Sequence, residues 1–265
     1  MHTSGSEPLL KWAGGKRFLL AEILPFVPVS YRHYYEPFFG GGAMFFFLQP
    51  PSATISDTNF DLIETYSEIR DNVNGVIKFL RRMPNTAENY YTIRESHPRT
   101  SSGRAARLIY LCTLSFNGIY RQNLRGEFNV PYGYKKHMNP CDESRLRQIA
   151  ARLKGRDITP GDFELAIAGA KRGDFIYFDP PYTVAHANNG FVKYNAKIFS
   201  WADQKRLADV ANILRKNGCK VLVSNADHPS IHELYSNFRT HIIERHSIMA
   251  ASSLFRRPVR ECLFY

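Results

Sequence analysis

Four cysteines in 265 residues, Cys112, Cys141, Cys219 and Cys262, are too few and too scattered for a disulfide framework. No C-x-x-C pair offers a zinc site or a redox couple, so no metal is expected. Long apolar runs are missing too: the longest, around Ala43 to Leu48, falls far short of the ~20 residues that cross a bilayer. The opening MHTSGSEPLLKWAGGK lacks the apolar stretch of about 7 to 15 residues found in a secretory signal. Internal repeats and low-complexity tracts are absent. These absences predict a reduced, soluble, cytoplasmic chain with no membrane partner; a monomer in solution is expected besides.

Acidic residues are scarce in one place. Residues 70 to 156 carry 17 Lys and Arg against 6 Asp and Glu, whereas the rest of the chain holds 18 of each. The whole net charge of +11 therefore lies in the middle third. A neutral scaffold with one basic block reads as a polyanion-binding module, nucleic acid above all. The bland alternative, generic solubility, would spread the surplus over the whole surface.

What is present begins with "HYYEPFFGGGAMFFFL" (33 to 48), which reads as strand, glycine turn and helix. "ATISD" (53 to 57) is a second strand ending in an acid, followed by helical spacing at Leu62, Ile63, Tyr66 and Ile69. From about 70 to 154 helical segments such as 105 to 116 alternate with polar stretches. Strand-like runs return only at 174 to 178, 219 to 225, 241 to 249 and 259 to 265. Between them a crossover helix is expected after Ser200 as N-cap, with Asp203 three residues on and Gly218 as its stop. The last two strands are too close for a crossover and should pair antiparallel. The predicted fold class is α/β, a parallel sheet interrupted by a basic insertion.

Two sites stand out. The first is F-x-G-x-G at Phe38, Gly40 and Gly42, trailed by Asp57 at the end of the next strand, a spacing suited to a ribose diol. It differs from the G-x-G-x-x-G of dinucleotide enzymes and points to another adenosyl ligand, S-adenosyl-L-methionine. "LLKWAGGK" supplies Lys16 for that ligand's carboxylate and Trp12 to pack near its sulfonium. Read alone, Trp12 is more simply a core aromatic and Lys16 a surface cation.

The second site is "DFIYFDPPY" (174 to 182). Four apolar residues without alternation suit a strand covered on both faces. Pro180 and Pro181 then end it, since neither has an N–H to give. Asp179 and the Pro180 carbonyl are two acceptors for two N–H donors, and Tyr182 is a face for stacking. The set suits a planar ring bearing an amino group. A proline-rich turn capped by a solvated acid is the structural alternative.

"KWAGGK", "EPFFGGGAMFF", "SDTNFDLI", "NGIYRQNLRGEFNVPYGYKK" and "DFIYFDPPY", in that order, resemble the Dam-like (D12 class) adenine-N6 DNA methyltransferases of bacteria and phages. The resemblance runs from Leu9 to Tyr182 and continues loosely beyond. It implies a Rossmann-like catalytic domain dependent on S-adenosyl-L-methionine, residues 1–69 and 155–265, carrying a mainly helical target-recognition domain, residues 70–154. It implies cofactor contacts by Trp12, Lys16, Asp57 and Asp179, with Asp162 and Phe163 bordering the cofactor adenine. Asp179, Pro180 and Tyr182 would be catalytic, acting on an adenine flipped out of double-stranded DNA, in GATC as in several relatives. "YRQNLRGEFNVP" is similar to their recognition hairpin, so Arg125 would read a guanine edge and Arg121, Asn123 and Leu124 would contact or wedge into the duplex. Lys135 and Lys136 are assigned to phosphates; phosphate neutralisation is also the alternative for Arg121 and Arg125. A bacterial or phage-infected cytoplasm, and a restriction endonuclease partner, fit the same resemblance. Cytosine N4, RNA adenine and a protein glutamine amide remain alternative targets, and a catalytically inactive DNA-binding relative an alternative class. Relatives typically carry an Asn-Gly-Gly-like loop before the final strand, where this chain reads "SIMAASSLFRRPVRECLFY".

Overall fold

The computed structural model describes residues 8–123, 125–183, 199–246 and 258–265. Leu124 and residues 247–257, which include most of the divergent segment, lie outside the described residues. In chain order the named elements are α1 (Leu20–Ile23), β1 (Tyr34–Glu36), α2 (Ala43–Leu48), β2 (Ala53–Asp57), α3 (Phe60–Leu80), α4 (Ala87–Glu95) and α5 (Ser101–Leu114). There follow α6 (Glu143–Leu153), β3 (Asp157–Pro160), α7 (Phe163–Ala166), β4 (Phe175–Phe178), α8 (Trp201–Lys216), β5 (Lys220–Ala226), α9 (Pro229–Leu234), β6 (Thr240–His246) and β7 (Pro258–Phe264). The class is mixed α/β, and the chain forms two compact units.

The first unit comprises Met1–Phe18 and Phe39–Ala166. Its strands β2 and β3 run parallel, with Asp57 opposite Pro160. Helix α3 starts where the Asn59 side chain accepts the Leu62 N–H at 3.0 Å, a cap that satisfies one of the helix's orphan donors. Leu62, Ile63, Tyr66 and Ile69 are buried as their spacing predicts. At Asn72 the backbone leaves helical values (φ −144°, ψ 47°). The Asn72 side chain there donates to Ser102 Oγ at 2.9 Å and accepts from the Gly75 N–H at 3.2 Å, so the break in α3 is stitched to the start of α5. Helices α5 and α6 pack on α3 through their apolar faces.

The second unit comprises Leu19–Phe38 and Ile167–Tyr265. Within it β4 pairs in parallel with β1 and with β5, and all four of its residues are buried. That is why Phe175 to Phe178 show no alternation: both faces are covered. Helix α8 makes the crossover from β4 to β5 and begins on a complete capping box between Ser200 and Asp203. It stops before Gly218, whose φ of +84° few other residues tolerate. Strand β7 pairs antiparallel with both β5 and β6, so the expected antiparallel final pair is present.

One strand was not foreseen. Sequence periodicity finds no strand between 57 and 174, yet Asp157–Pro160 forms β3. Only Ile158 of its four residues is buried, so there is no apolar pattern to read, and Pro160 argues against a strand on composition alone.

Candidate active site

In the first unit the site is built around the acid that ends β2. The Asp57 carboxylate accepts the Gly40 N–H at Oδ2 and the Asn59 N–H at Oδ1, both at 2.9 Å. It thereby clasps the glycine turn to the entry of α3. Burial pushes its pKa up, while the backbone amides of Asn59, Gly40 and Thr58 pull it down. Each carboxylate oxygen keeps a second lone pair, so two hydroxyls can still be accepted. The Asp57 carbonyl takes the Gly161 N–H at 3.1 Å, which sets the Asp162–Phe163 turn directly beyond it. Asp162 Oδ1 accepts the Glu164 N–H at 3.0 Å, and Phe163 is buried.

The glycine turn is tight for a physical reason. Gly40 and Gly42 have φ of +49° and +69°. A Cβ on Gly40 would come within 2.9 Å of the Trp12 ring, and one on Gly42 within 2.3 Å of the Phe39 ring. Trp12 in turn stacks on Tyr120 with centroids 4.5 Å apart and planes 19° from parallel. Lys16 is almost wholly buried, and its ammonium donates to the Gly14 carbonyl at 3.2 Å. Trp12, Gly40, Gly42, Asp57, Asp162 and Phe163 are thus linked in one unit by direct contacts or adjacent backbone. No group of three or more metal-ligating side chains occurs among the described residues.

Phe38, Asp179, Pro180 and Tyr182 belong to the second unit. Phe38 makes edge contacts with Phe178 and Phe199 at centroid distances of 6.3 and 5.4 Å. Asp179 leaves β4 partly exposed, whereas Pro180 is buried. The turn is held by side chains that sequence reasoning missed. Gln204 of α8, fully buried, donates to the Pro181 carbonyl at 3.1 Å and to Thr183 Oγ1 at 2.9 Å. Asn225 of β5 donates to Gln204 Oε1 at 3.0 Å. The Tyr182 hydroxyl donates to Glu261 Oε2 at 2.8 Å and lies 3.1 Å from Ser224 Oγ. Burial, then the Glu261 and Asp179 carboxylates, push the Tyr182 phenol well above its usual range, so it stays a donor. A glutamate in the otherwise apolar "ECLF" was the one available signal for this network, because a buried acid needs a partner.

Of the residues expected at DNA, Arg121, Asn123 and Arg125 lie about a hairpin of the first unit, where Gln122 bridges Phe128. Asn123 braces it: its Oδ1 accepts the N–H groups of Arg125 and Glu127, and its Nδ2 donates to Glu127 Oε2 at 2.7 Å. Arg121 donates to Asn129 Oδ1 at 2.8 Å. Arg125 projects with 82% of its side chain exposed, 3.5 Å from Glu127. Lys135 donates inward to the Thr113 carbonyl at 3.1 Å, and burial together with the neighbouring Lys11 charge lowers its pKa. Lys136 is exposed. Arg125 and Lys136 therefore have free reach toward a ligand, and Lys135 is already committed to the fold.

The glycine turn yields a direct test. Gly42→Ala should lower the unfolding free energy by about 2–4 kcal/mol, combining left-handed strain with overpacking against the buried Phe39 ring. A urea titration followed by fluorescence measures it, and an unchanged midpoint would refute the tight packing.

The model of the family described as "D12 class N6 adenine-specific DNA methyltransferase" matches residues 12–250. The Lactococcus lactis subsp. cremoris protein "Type II methyltransferase M1.LlaDCHI" is 39% identical over 266 residues, covering 97% of this chain and 94% of the relative. "Type II methyltransferase M.MjaIII" of Methanocaldococcus jannaschii is 34% identical, covering 83% and 84%. "DNA adenine methylase" of Escherichia coli strain K12 is 32% identical, covering 96% and 93%. With the glycine turn and its acid in one unit and the DPPY turn in the other, the match extends over nearly all of the chain, which belongs to the D12 class of N6-adenine-specific DNA methyltransferases.

Proposed function

We propose that the protein transfers a methyl group from S-adenosyl-L-methionine to N6 of an adenine flipped out of double-stranded DNA, within GATC. The observation that carries this reading is the DPPY turn at the end of a fully buried strand, its backbone held by Gln204 and its tyrosine by Glu261. The lone pair of an exocyclic amine is delocalised into its ring. Asp179 and the Pro180 carbonyl, accepting the two N6 hydrogens, return density to nitrogen and orient it. Tyr182 stacks on the extruded base and offsets the few kcal/mol that unpairing costs.

The donor, when bound, supplies an electrophilic methyl on a sulfonium sulfur. The first unit's residues fit such a group. The turn at Gly40 and Gly42 leaves backbone where a Cβ has no room, which suits close approach of a ligand. Asp57 would accept the ribose hydroxyls, the Asp162–Phe163 turn would border the adenine, and Trp12 and Lys16 would serve the methionine tail. Phe38, the first residue of F-x-G-x-G, is assigned to the donor by family resemblance. In this reading residues 1–69 and 155–265 form a Rossmann-like catalytic domain, and 70–154 the target-recognition domain with Arg121, Asn123, Leu124 and Arg125 at the bases. The protein would work as a monomer in a bacterial or phage-infected cytoplasm, and the type II designation of relatives supports a companion endonuclease. No helix among the described residues is long and apolar enough to cross a membrane.

Single-molecule sequencing of DNA from a methylation-deficient host expressing the chain should show N6-methyladenine at GATC. A different modified base or motif would overturn the corresponding half of the reading.

Asp179→Ala should abolish tritiated methyl incorporation while leaving the melting temperature within a few degrees of wild type; activity within about tenfold of wild type would remove the residue from catalysis. Asp57→Ala should weaken donor binding by about 1.5–3 kcal/mol, as for a lost charged hydrogen bond, measured by calorimetry. Arg125→Ala should cost about 1–3 kcal/mol on the preferred duplex and relax discrimination at one base pair, whereas Lys136→Ala should weaken all duplexes alike and reduce the salt slope. Steady-state methylation of GATC and its single-base variants at two salt concentrations separates these outcomes, and a uniform loss with Arg125→Ala would refute base reading.

A further inference from the structure

A carboxylate in the interior of a strand calls for an explanation that sheet formation does not give. Glu261 lies in β7 opposite Ala226 of β5, is 1% exposed, and is followed by Cys262, Leu263 and Phe264, all buried. An acid in such surroundings costs several kcal/mol of desolvation unless hydrogen bonds answer it. An apolar residue of similar size would serve packing better. What Glu261 does instead is accept the Tyr182 hydroxyl at 2.8 Å, across 79 residues of chain, while Ser224 Oγ sits 3.1 Å from the same oxygen.

The Tyr182 side chain is consequently held at both ends. Its backbone lies between two groups bonded to Gln204, the Pro181 carbonyl and the Thr183 hydroxyl. Its far tip is fixed by a carboxylate on β7 and a hydroxyl on β5. Without an acceptor at that tip the ring would lose a directional restraint on rotation about its Cα–Cβ bond between staggered positions. A hydrogen bond between a hydroxyl and a carboxylate is about twice as strong as a neutral one, so it restrains that swing effectively.

We propose that Glu261 is a positioning residue for methyl transfer: by accepting the Tyr182 hydroxyl it holds the ring where the extruded adenine stacks. This rests on the reading that Tyr182 is the stacking face. Glu261 touches neither base nor donor in this scheme, and it acts only through the tyrosine.

The test is a cycle of Tyr182→Phe, Glu261→Leu and the double variant, with Glu261→Gln and Tyr182→Ala alongside, each assayed for kcat, KM for a GATC duplex and the donor dissociation constant. Tyr182→Phe and Glu261→Leu should each lower kcat by about tenfold, the equivalent of one charge-assisted hydrogen bond, with KM and donor binding within about twofold of wild type. Glu261→Gln, whose amide oxygen still accepts, should recover most of the loss. The double variant should match Tyr182→Phe. It replaces the whole pair with apolar groups and leaves no buried acid unanswered, so the comparison stands even where Glu261→Leu alone fails to fold. A double variant well below Tyr182→Phe, or wild-type kcat in Tyr182→Phe, overturns the proposal. Tyr182→Ala distinguishes the two levels. Wild-type kcat there refutes the stacking role itself, whereas an inactive Tyr182→Ala beside a wild-type Tyr182→Phe refutes the role of Glu261 alone.

Discussion

Two consecutive prolines take from the chain, at its most demanding point, the means to hold itself. Pro180 and Pro181 offer no N–H, so neither a ladder nor a helix can continue past β4. The backbone that follows is held from outside, by side chains of α8 and β5. Gln204, with both ends of its amide engaged, donates to the Pro181 carbonyl and the Thr183 hydroxyl, and Asn225 keeps its carbonyl end occupied. A buried polar network of this kind stabilises only when every member is satisfied. The stiffness of the acceptor turn is therefore a property of the second unit's core.

The first unit solves a related problem differently. A glycine-rich turn has backbone freedom to lose, and here it is restrained from two sides: the Asp57 carboxylate draws in the Gly40 N–H, and the Trp12 and Phe39 rings fill the space a side chain would occupy. The same carboxylate holds the Asn59 N–H, while the Asn59 side chain caps α3. One acid thus joins strand end, turn and helix start. Restraint of this kind lets the turn meet a ligand without ordering itself at that moment.

Much of this was legible in the sequence because it rests on local rules. The unbroken apolar run of β4, the Ser200–Asp203 capping box, the Gly218 stop and the glycine turn with its acid are each set by a few neighbouring residues. The rest was not legible, for two reasons. Strand β3 buries one residue in four, so pairing with β2 decides its conformation and no apolar pattern marks it. Gln204, Ser224 and Glu261 act on the DPPY turn from 23 to 79 residues away, and Asn225 acts through Gln204; nothing in their own surroundings says which loop they serve. Among residues singled out for DNA, Asn123 was expected against the duplex and Lys135 against phosphates; the structure shows both side chains also bonded within the fold, which a sequence pattern does not show.

Strand β7 follows β6 in the chain but hydrogen-bonds to β5 as well as to β6. A strand made after its neighbour yet interposed between that neighbour and an earlier strand can dock only once all three are present, a non-local step of the kind that folds slowly. It carries Glu261, the acceptor for the Tyr182 hydroxyl. During synthesis the DPPY turn is therefore complete in sequence some 80 residues before this acceptor exists. A nascent chain that already carries its whole basic block, residues 70 to 156, has yet to receive the carboxylate that accepts its tyrosine hydroxyl. Positive charge is laid down before the turn is braced, and the order in which the ribosome delivers the strands separates the two.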